Sequence, residues 1–76
     1  METKVESLLN TAMSGDITLS ETILDELAGL AERDPVCNQY VEQIGKFIKA
    51  FDFDKGIKNI TEFLDYISYN RNKLRV

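Results

Sequence analysis

The chain has 76 residues, of which 43% are hydrophobic and 29% charged, and its net charge is −4. These values are typical of one small globular domain, residues 1–76, and argue against intrinsic disorder. The negative charge argues against nucleic acid as the main partner, because phosphate binding requires a basic surface. No apolar run is long enough for a membrane span, and a lone Cys37 fits a reducing, cytoplasmic setting.

Four segments carry apolar residues at helical spacing, and no segment shows sustained strand alternation. We predict helices over residues 3–14, 19–33, 35–51 and 53–70. Because short connections favour antiparallel neighbours, the prediction is an all-α fold of four antiparallel helices. A small four-helix bundle and two stacked helical hairpins both fit the pattern. The third helix has the broadest apolar arc and is predicted to lie at the centre, and no convincing internal repeat is visible.

Several residues predict where the first three helices begin and end. Gly15 lies where a left-handed residue would end the first helix. Thr18 and Glu21, in TLSE, predict a capping box at the start of the second helix. Asp34 and Pro35 predict the start of the third, because aspartate accepts the free amides and proline lacks an N–H that would be unpaired there.

The segment KAFDFDKG, residues 49–56, alternates two phenylalanines with two aspartates. We interpret it as a helical joint in which Phe51 closes the core stripe of the third helix and Phe53 opens that of the fourth. Asp52 or Asp54 then caps the fourth helix. Two other readings are a cation site, which lacks further oxygen ligands at calcium-loop spacing, and paired-carboxylate catalysis, which lacks a companion base.

The residue types needed for common catalytic chemistry are missing. The chain has no histidine, which excludes histidine phosphotransfer and histidine-activated nucleophiles. Cys37 lies on the apolar arc of the third helix and is predicted to be a core thiol, while Asp16, in SGDI, is predicted to be a turn residue. No glycine-rich phosphate loop or metal-ligand cluster is present. We therefore expect no enzyme activity, no cofactor and no bound metal.

The fourth predicted helix suggests a surface for a protein partner. Its inward positions on a helical wheel are Phe53, Ile57, Ile60, Leu64 and Ile67. The wheel places Tyr66 and Tyr69 outward, with Phe63 at the flank of the inward face and Arg71 in the basic tail. Tyrosine and arginine carry much of the energy of protein interfaces. We therefore predict a transient protein contact, with a weak homodimer as one form of it, made by Phe63, Tyr66, Tyr69 and Arg71.

The segments LLNTAMSGDI (8–17) and 24–67 resemble a helical segment near the C-termini of bacterial multidomain signalling proteins, namely hybrid sensor histidine kinases and large serine/threonine kinases. The matching residues are Ala12, Met13, Gly15, Asp16, Ile17, Leu30, Asp34, Tyr40, Phe51 and Phe53. The resemblance covers about three quarters of the chain, although nothing kinase-like or receiver-like accompanies it. It implies an accessory module without an active site.

Two functions follow as expectations. The first is a non-catalytic regulatory or protein-interaction module of a bacterial signal-transduction protein. The second is a free-standing acidic binder, such as an inhibitor or antitoxin-like protein, that masks a basic partner surface. The uneven charge bears on the second, since residues 1–34 carry eight acids and two bases (−6) and residues 35–76 carry five acids and seven bases (+2).

Overall fold

A computed structural model describes the backbone of residues 2–74 and the side chains of residues 2–70. Within these residues the fold is all-α, as predicted, with four helices and no strand. The helices are α1 (Glu2–Met13), α2 (Ile17–Leu30), α3 (Pro35–Lys49) and α4 (Phe53–Leu74). The second helix is displaced toward the N-terminus relative to the prediction, the third ends two residues early, and the fourth extends four residues further. No described helix is both long and apolar enough to cross a bilayer.

Each helix packs mainly against two others. α1 lies against α2 and α4, and α3 lies against the same two helices. The prediction that α3 occupies the centre is therefore wrong, because all four helices share one core. Thr11 contacts Ser20 across the connection of α1 with α2, and Tyr40 contacts Phe63 across the connection of α3 with α4. The antiparallel order of the neighbouring helices stays a prediction.

The core repeats at a spacing of 36 residues, which the sequence reading missed. We call α1 with α2 hairpin 1, and α3 with α4 hairpin 2. Six positions of hairpin 1 are buried together with their counterparts in hairpin 2. The pairs are Val5 and Val41, Leu8 and Ile44, Ala12 and Ile48, Ser20 and Gly56, Leu24 and Ile60, and Leu27 and Phe63. Because the pairs share burial, but only one shares identity and three share size, the repeat is structural and has little trace in the sequence.

The two hairpins have different side chains at equivalent positions of the core. In hairpin 1 the hydroxyl of Ser20 donates to Thr11 Oγ1 at 2.9 Å, and Thr11 donates to the Leu8 carbonyl at 2.9 Å. In hairpin 2 a Cβ placed on Gly56 would lie 3.3 Å from Cδ1 of Ile48, which is larger than its counterpart Ala12. The glycine at position 56 thus accommodates the larger Ile48.

The helix starts are capped by aspartates. Asp34 accepts the amides of Val36 (3.0 Å) and Cys37 (3.2 Å), which confirms the predicted start of α3. At α2 the predicted capping box is wrong, because Asp16 is the N-cap and accepts the amide of Leu19 at 3.0 Å, while Thr18 lies inside the helix. A single aspartate directly after the turn therefore starts α2 two residues earlier than predicted.

Replacing these caps tests the assignment. We expect Asp16→Ala to lower the free energy of unfolding by about 1 kcal/mol, because the Leu19 amide loses its acceptor. The matched control Thr18→Ala should change it by less than about 0.5 kcal/mol, as for an exposed helical position. Chemical denaturation followed by circular dichroism measures both. A larger loss for Thr18→Ala than for Asp16→Ala would restore the capping box.

Candidate protein-interaction site at the helical joints

The four residues predicted to contact a partner do not form one exposed patch. Phe63 is completely buried, and its ring stacks on Tyr40 with centroids 5.1 Å apart and planes 8° apart. The prediction that Phe63 borders the surface is wrong because α4 packs against two helices. The buried positions of α4, Gly56, Ile60 and Phe63, lie on one stripe that is rotated toward Phe63 from the predicted inward face.

The remaining three residues differ in exposure. Tyr66 is half-buried against the core, with its ring 5.8 Å from that of Tyr40, and burial, followed by the nearby Asp34 charge, raises the pKa of its hydroxyl. Tyr69 is 66% exposed, as predicted. The side chain of Arg71 lies outside the described side chains. Whether any of these residues binds a partner stays a prediction. Of the two tyrosines, only Tyr69 is largely exposed.

The joint between α3 and α4 has the hydrogen bonds of a Schellman motif. The amide of Phe51 donates to the Ile48 carbonyl at 3.1 Å, and the amide of Asp52 donates to the Phe47 carbonyl at 2.8 Å. Asp52 then accepts the amide of Lys55 at 3.3 Å, so it caps α4 and Asp54 does not. The alternation in KAFDFDKG is thus explained by a turn that ends one helix and starts the next.

The joint between α1 and α2 has the same hydrogen bonds 36 residues earlier. The amide of Gly15 donates to Ala12 at 3.1 Å, and the amide of Asp16 donates to Thr11 at 2.9 Å. Gly15 has a φ of +73°, which confirms the predicted left-handed end of α1. We call residues 13–19 joint 1 and residues 49–55 joint 2. One backbone design therefore closes both hairpins.

Phe51 is the unexpected residue of joint 2. It has a φ of +61°, the only positive φ of a non-glycine residue in the described chain, and its side chain is 72% exposed. The prediction that Phe51 closes the α3 core stripe is wrong, because the left-handed backbone turns its side chain away from the stripe that ends at Ile48. A left-handed conformation costs an L-residue roughly 1–2 kcal/mol, a cost that Gly15 avoids in joint 1.

Both joints lie at the same end of the bundle. Lys49, at the end of α3, and Glu21, near the start of α2, line one groove of about 450 Å³. This joint end carries two further exposed apolar side chains, Met13 (67%) and Leu19 (47%). Their counterparts at the 36-residue spacing are Lys49 and Lys55. Joint 1 therefore places two exposed apolar side chains near a glycine, whereas joint 2 places an aromatic ring between two lysines in the sequence.

Cys37 is a buried thiol, as predicted, and its S–H lies 3.4 Å from the second oxygen of Asp34. Burial, helped by this hydrogen bond and the carboxylate charge, raises the pKa of Cys37 from 9.0 to about 11. Hydrogen bonds from Cys37, first from its amide and then from its thiol, lower the pKa of Asp34. In residues with described side chains no three acidic, cysteine or histidine groups are close enough to hold a metal ion.

Exchanging residues between the joints tests the backbone assignment. We expect Phe51→Gly to raise the free energy of unfolding by up to about 1 kcal/mol, because glycine accepts the left-handed conformation. Phe51→Ala keeps the strain and should stay within about 0.5 kcal/mol of the wild type, since the ring makes few core contacts. The converse change Gly15→Ala should cost about 1 kcal/mol without any clash. A loss of several kcal/mol for Phe51→Ala in urea titrations would place the ring in the core.

The thiol can be tested by alkylation. At pH 9 the pKa of Cys37 keeps the folded thiol protonated, so iodoacetamide should modify the native protein far more slowly than the protein in urea. The pKa of the Cys37 thiol is higher in the folded than in the unfolded protein. Its contribution to the free energy of unfolding is therefore complete below pH 9 and is lost as the pH rises toward 11. Intact-mass analysis follows the rate at this single cysteine. Equal rates in the native and urea-unfolded protein at pH 9 would contradict a buried, protonated thiol.

Comparison with known proteins assigns no function to this site. No family model, curated protein or solved structure matches the chain. The functional interpretation therefore depends on the two joints and on the side chains that they expose.

Proposed function

We propose that this chain is a non-catalytic protein-interaction module that contacts its partner through Phe51. One observation carries the proposal: Phe51 is 72% exposed on a left-handed backbone, although joint 1 forms the same turn with Gly15. Folding therefore does not need an aromatic residue at position 51. A surface aromatic that is kept at a local cost is typical of a binding residue, because aromatic side chains contribute large energies when an interface desolvates them.

The proposed setting is a cytoplasmic bacterial signal-transduction protein. This part of the proposal is supported by the resemblance of segments 8–17 and 24–67 to helical segments of multidomain kinases. Gly15, Asp16 and Phe51, which belong to the resembling pattern, all lie at the joint end. In such a setting the module would dock or regulate neighbouring protein domains without itself accepting a phosphoryl group.

The acidic surface of hairpin 1 favours a second candidate, an acidic binder of a basic protein. Glu6, Glu21, Asp25 and Glu32 are all exposed on or directly after the two helices of this hairpin. Long-range attraction from such a surface would raise the association rate and would weaken strongly with salt. Contact through Phe51 would depend much less on salt, because the hydrophobic contribution is not screened.

Site-directed photo-crosslinking tests the primary proposal. A benzophenone amino acid at position 51 should give a defined adduct in extracts of the source cells, and mass spectrometry would identify its partner. Wild-type protein should compete for the adduct, whereas the Phe51→Gly variant should compete at least about tenfold less well, as expected for loss of an interface anchor. Position 69 provides a matched exposed aromatic, and position 7 an exposed site on α1.

The controls separate the alternatives. Equal competition by Phe51→Gly and wild type would contradict the role of Phe51. An adduct formed at position 69 alone would return the contact to the surface first predicted on α4. If the adduct yield at position 51 falls more than about tenfold between 50 and 500 mM salt, the acidic-binder candidate is favoured instead.

A further inference from the structure

We propose that the joint end binds a second copy of this chain, end to end, with Phe51 of each copy seated over Gly15 of the other. The proposal rests on the proposed function, since it takes Phe51 as a contact residue, and it adds the identity of the partner. In such a two-fold arrangement each copy supplies both a projecting and a receiving surface, so the contact closes on itself.

The two joints have complementary shapes. At Gly15 no heavy atom lies within 4 Å of the position that a Cβ would occupy, so the space above this residue is open. Met13 and Leu19, two and four residues from Gly15 in the sequence, have exposed apolar side chains. Phe51, at the equivalent position of joint 2, projects from the same end of the molecule. A phenylalanine ring placed over Gly15 would exchange water for contact with the methionine and leucine side chains.

The charges of the two hairpins favour the same pairing. A two-fold axis that is perpendicular to the bundle and lies in the plane between the two hairpins places hairpin 1 of one copy opposite hairpin 2 of the other. Near the joints, residues 13–25 carry three acids and no base (−3) and residues 46–58 carry four lysines and two aspartates (+2), so opposite charges would meet on both sides of the axis. At the contact itself, Lys49 and Lys55 beside Phe51 would face the joint that holds Asp16, whereas the alternative pairing would put hairpin 1 against its own copy and repel.

The size of the joint end indicates a weak dimer. The bundle is 20 × 17 Å in cross-section. Each copy can therefore bury roughly 300 Å², and the total falls below the ~1,200 Å² of stable interfaces. We expect a dissociation constant between roughly 10 μM and 1 mM, in the range of transient contacts. Association should consequently be visible only at high protein concentration.

Sedimentation velocity of the full chain from about 10 μM to about 1 mM tests the proposal over the range expected for so small an interface. The wild type should shift from monomer toward dimer. Phe51→Gly should raise the dissociation constant at least about tenfold while the helical circular dichroism signal is retained. Leu19→Lys, which places a lysine opposite Lys49 and Lys55 of the second copy, should have the same effect. Tyr69→Ser is the matched control and should leave association unchanged.

Each outcome decides between the proposals. A wild type that stays monomeric at 1 mM, or a dimer unaffected by both Phe51→Gly and Leu19→Lys, overturns end-to-end docking. Loss of association in Tyr69→Ser also overturns it, because the interface would then involve α4. If the chain is monomeric but the position-51 photo-adduct with another protein persists, only the identity of the partner is wrong. If that adduct is also missing, the proposed function fails as well.

Discussion

The fold depends on one constraint, the joint in which an aspartate both completes the end of one helix and caps the next. Asp16 and Asp52 each donate their amide back into the preceding helix and accept an amide of the following helix with their side chain. Such a turn provides hydrogen-bond partners for backbone groups at the ends of two helices within a few residues. It therefore restricts the relative directions of the two helices. The 36-residue spacing of the buried positions is consistent with this: two similar joints produce two hairpins whose apolar faces match.

Within this shared frame, the positions where the hairpins differ are informative. In hairpin 2 a larger residue, Ile48, and a smaller one, Gly56, stand at the positions of Ala12 and Ser20 and lie close together, so packing explains this difference. Gly15 and Phe51 differ without such compensation, because Phe51 has a positive φ and makes little contact with the core. A non-glycine residue that adopts a positive φ without improving the packing is expected at functional sites. The contact is therefore proposed at Phe51 rather than at the groove or on α4.

Much of the fold could be predicted from the sequence, because helical periodicity, Asp34 with Pro35, and Gly15 are local signals with local causes. The site could not. Phe51 follows an apolar stripe, and no residue next to it marks the left-handed backbone one position after Ala50. The helical wheel places Phe63 at the flank because apolar spacing centres the inward face between Ile60 and Leu64, whereas the buried stripe of α4 is centred between Ile60 and Phe63. Comparing joint 2 with joint 1 at the 36-residue spacing, around the shared Asp16 and Asp52, could have suggested that Phe51 occupies a glycine position.

The most direct test of this interpretation is the backbone geometry of Phe51 in solution. Nuclear magnetic resonance can determine its φ from residual dipolar couplings and scalar couplings, and can show which side chains lie near its ring. A φ near the +61° of the structure, a protected Asp52 amide and few contacts from the ring to the core would support a strained, displayed aromatic. A negative φ with contacts from the ring to Ile48 and Ile60 would contradict it and would make Phe51 a core residue.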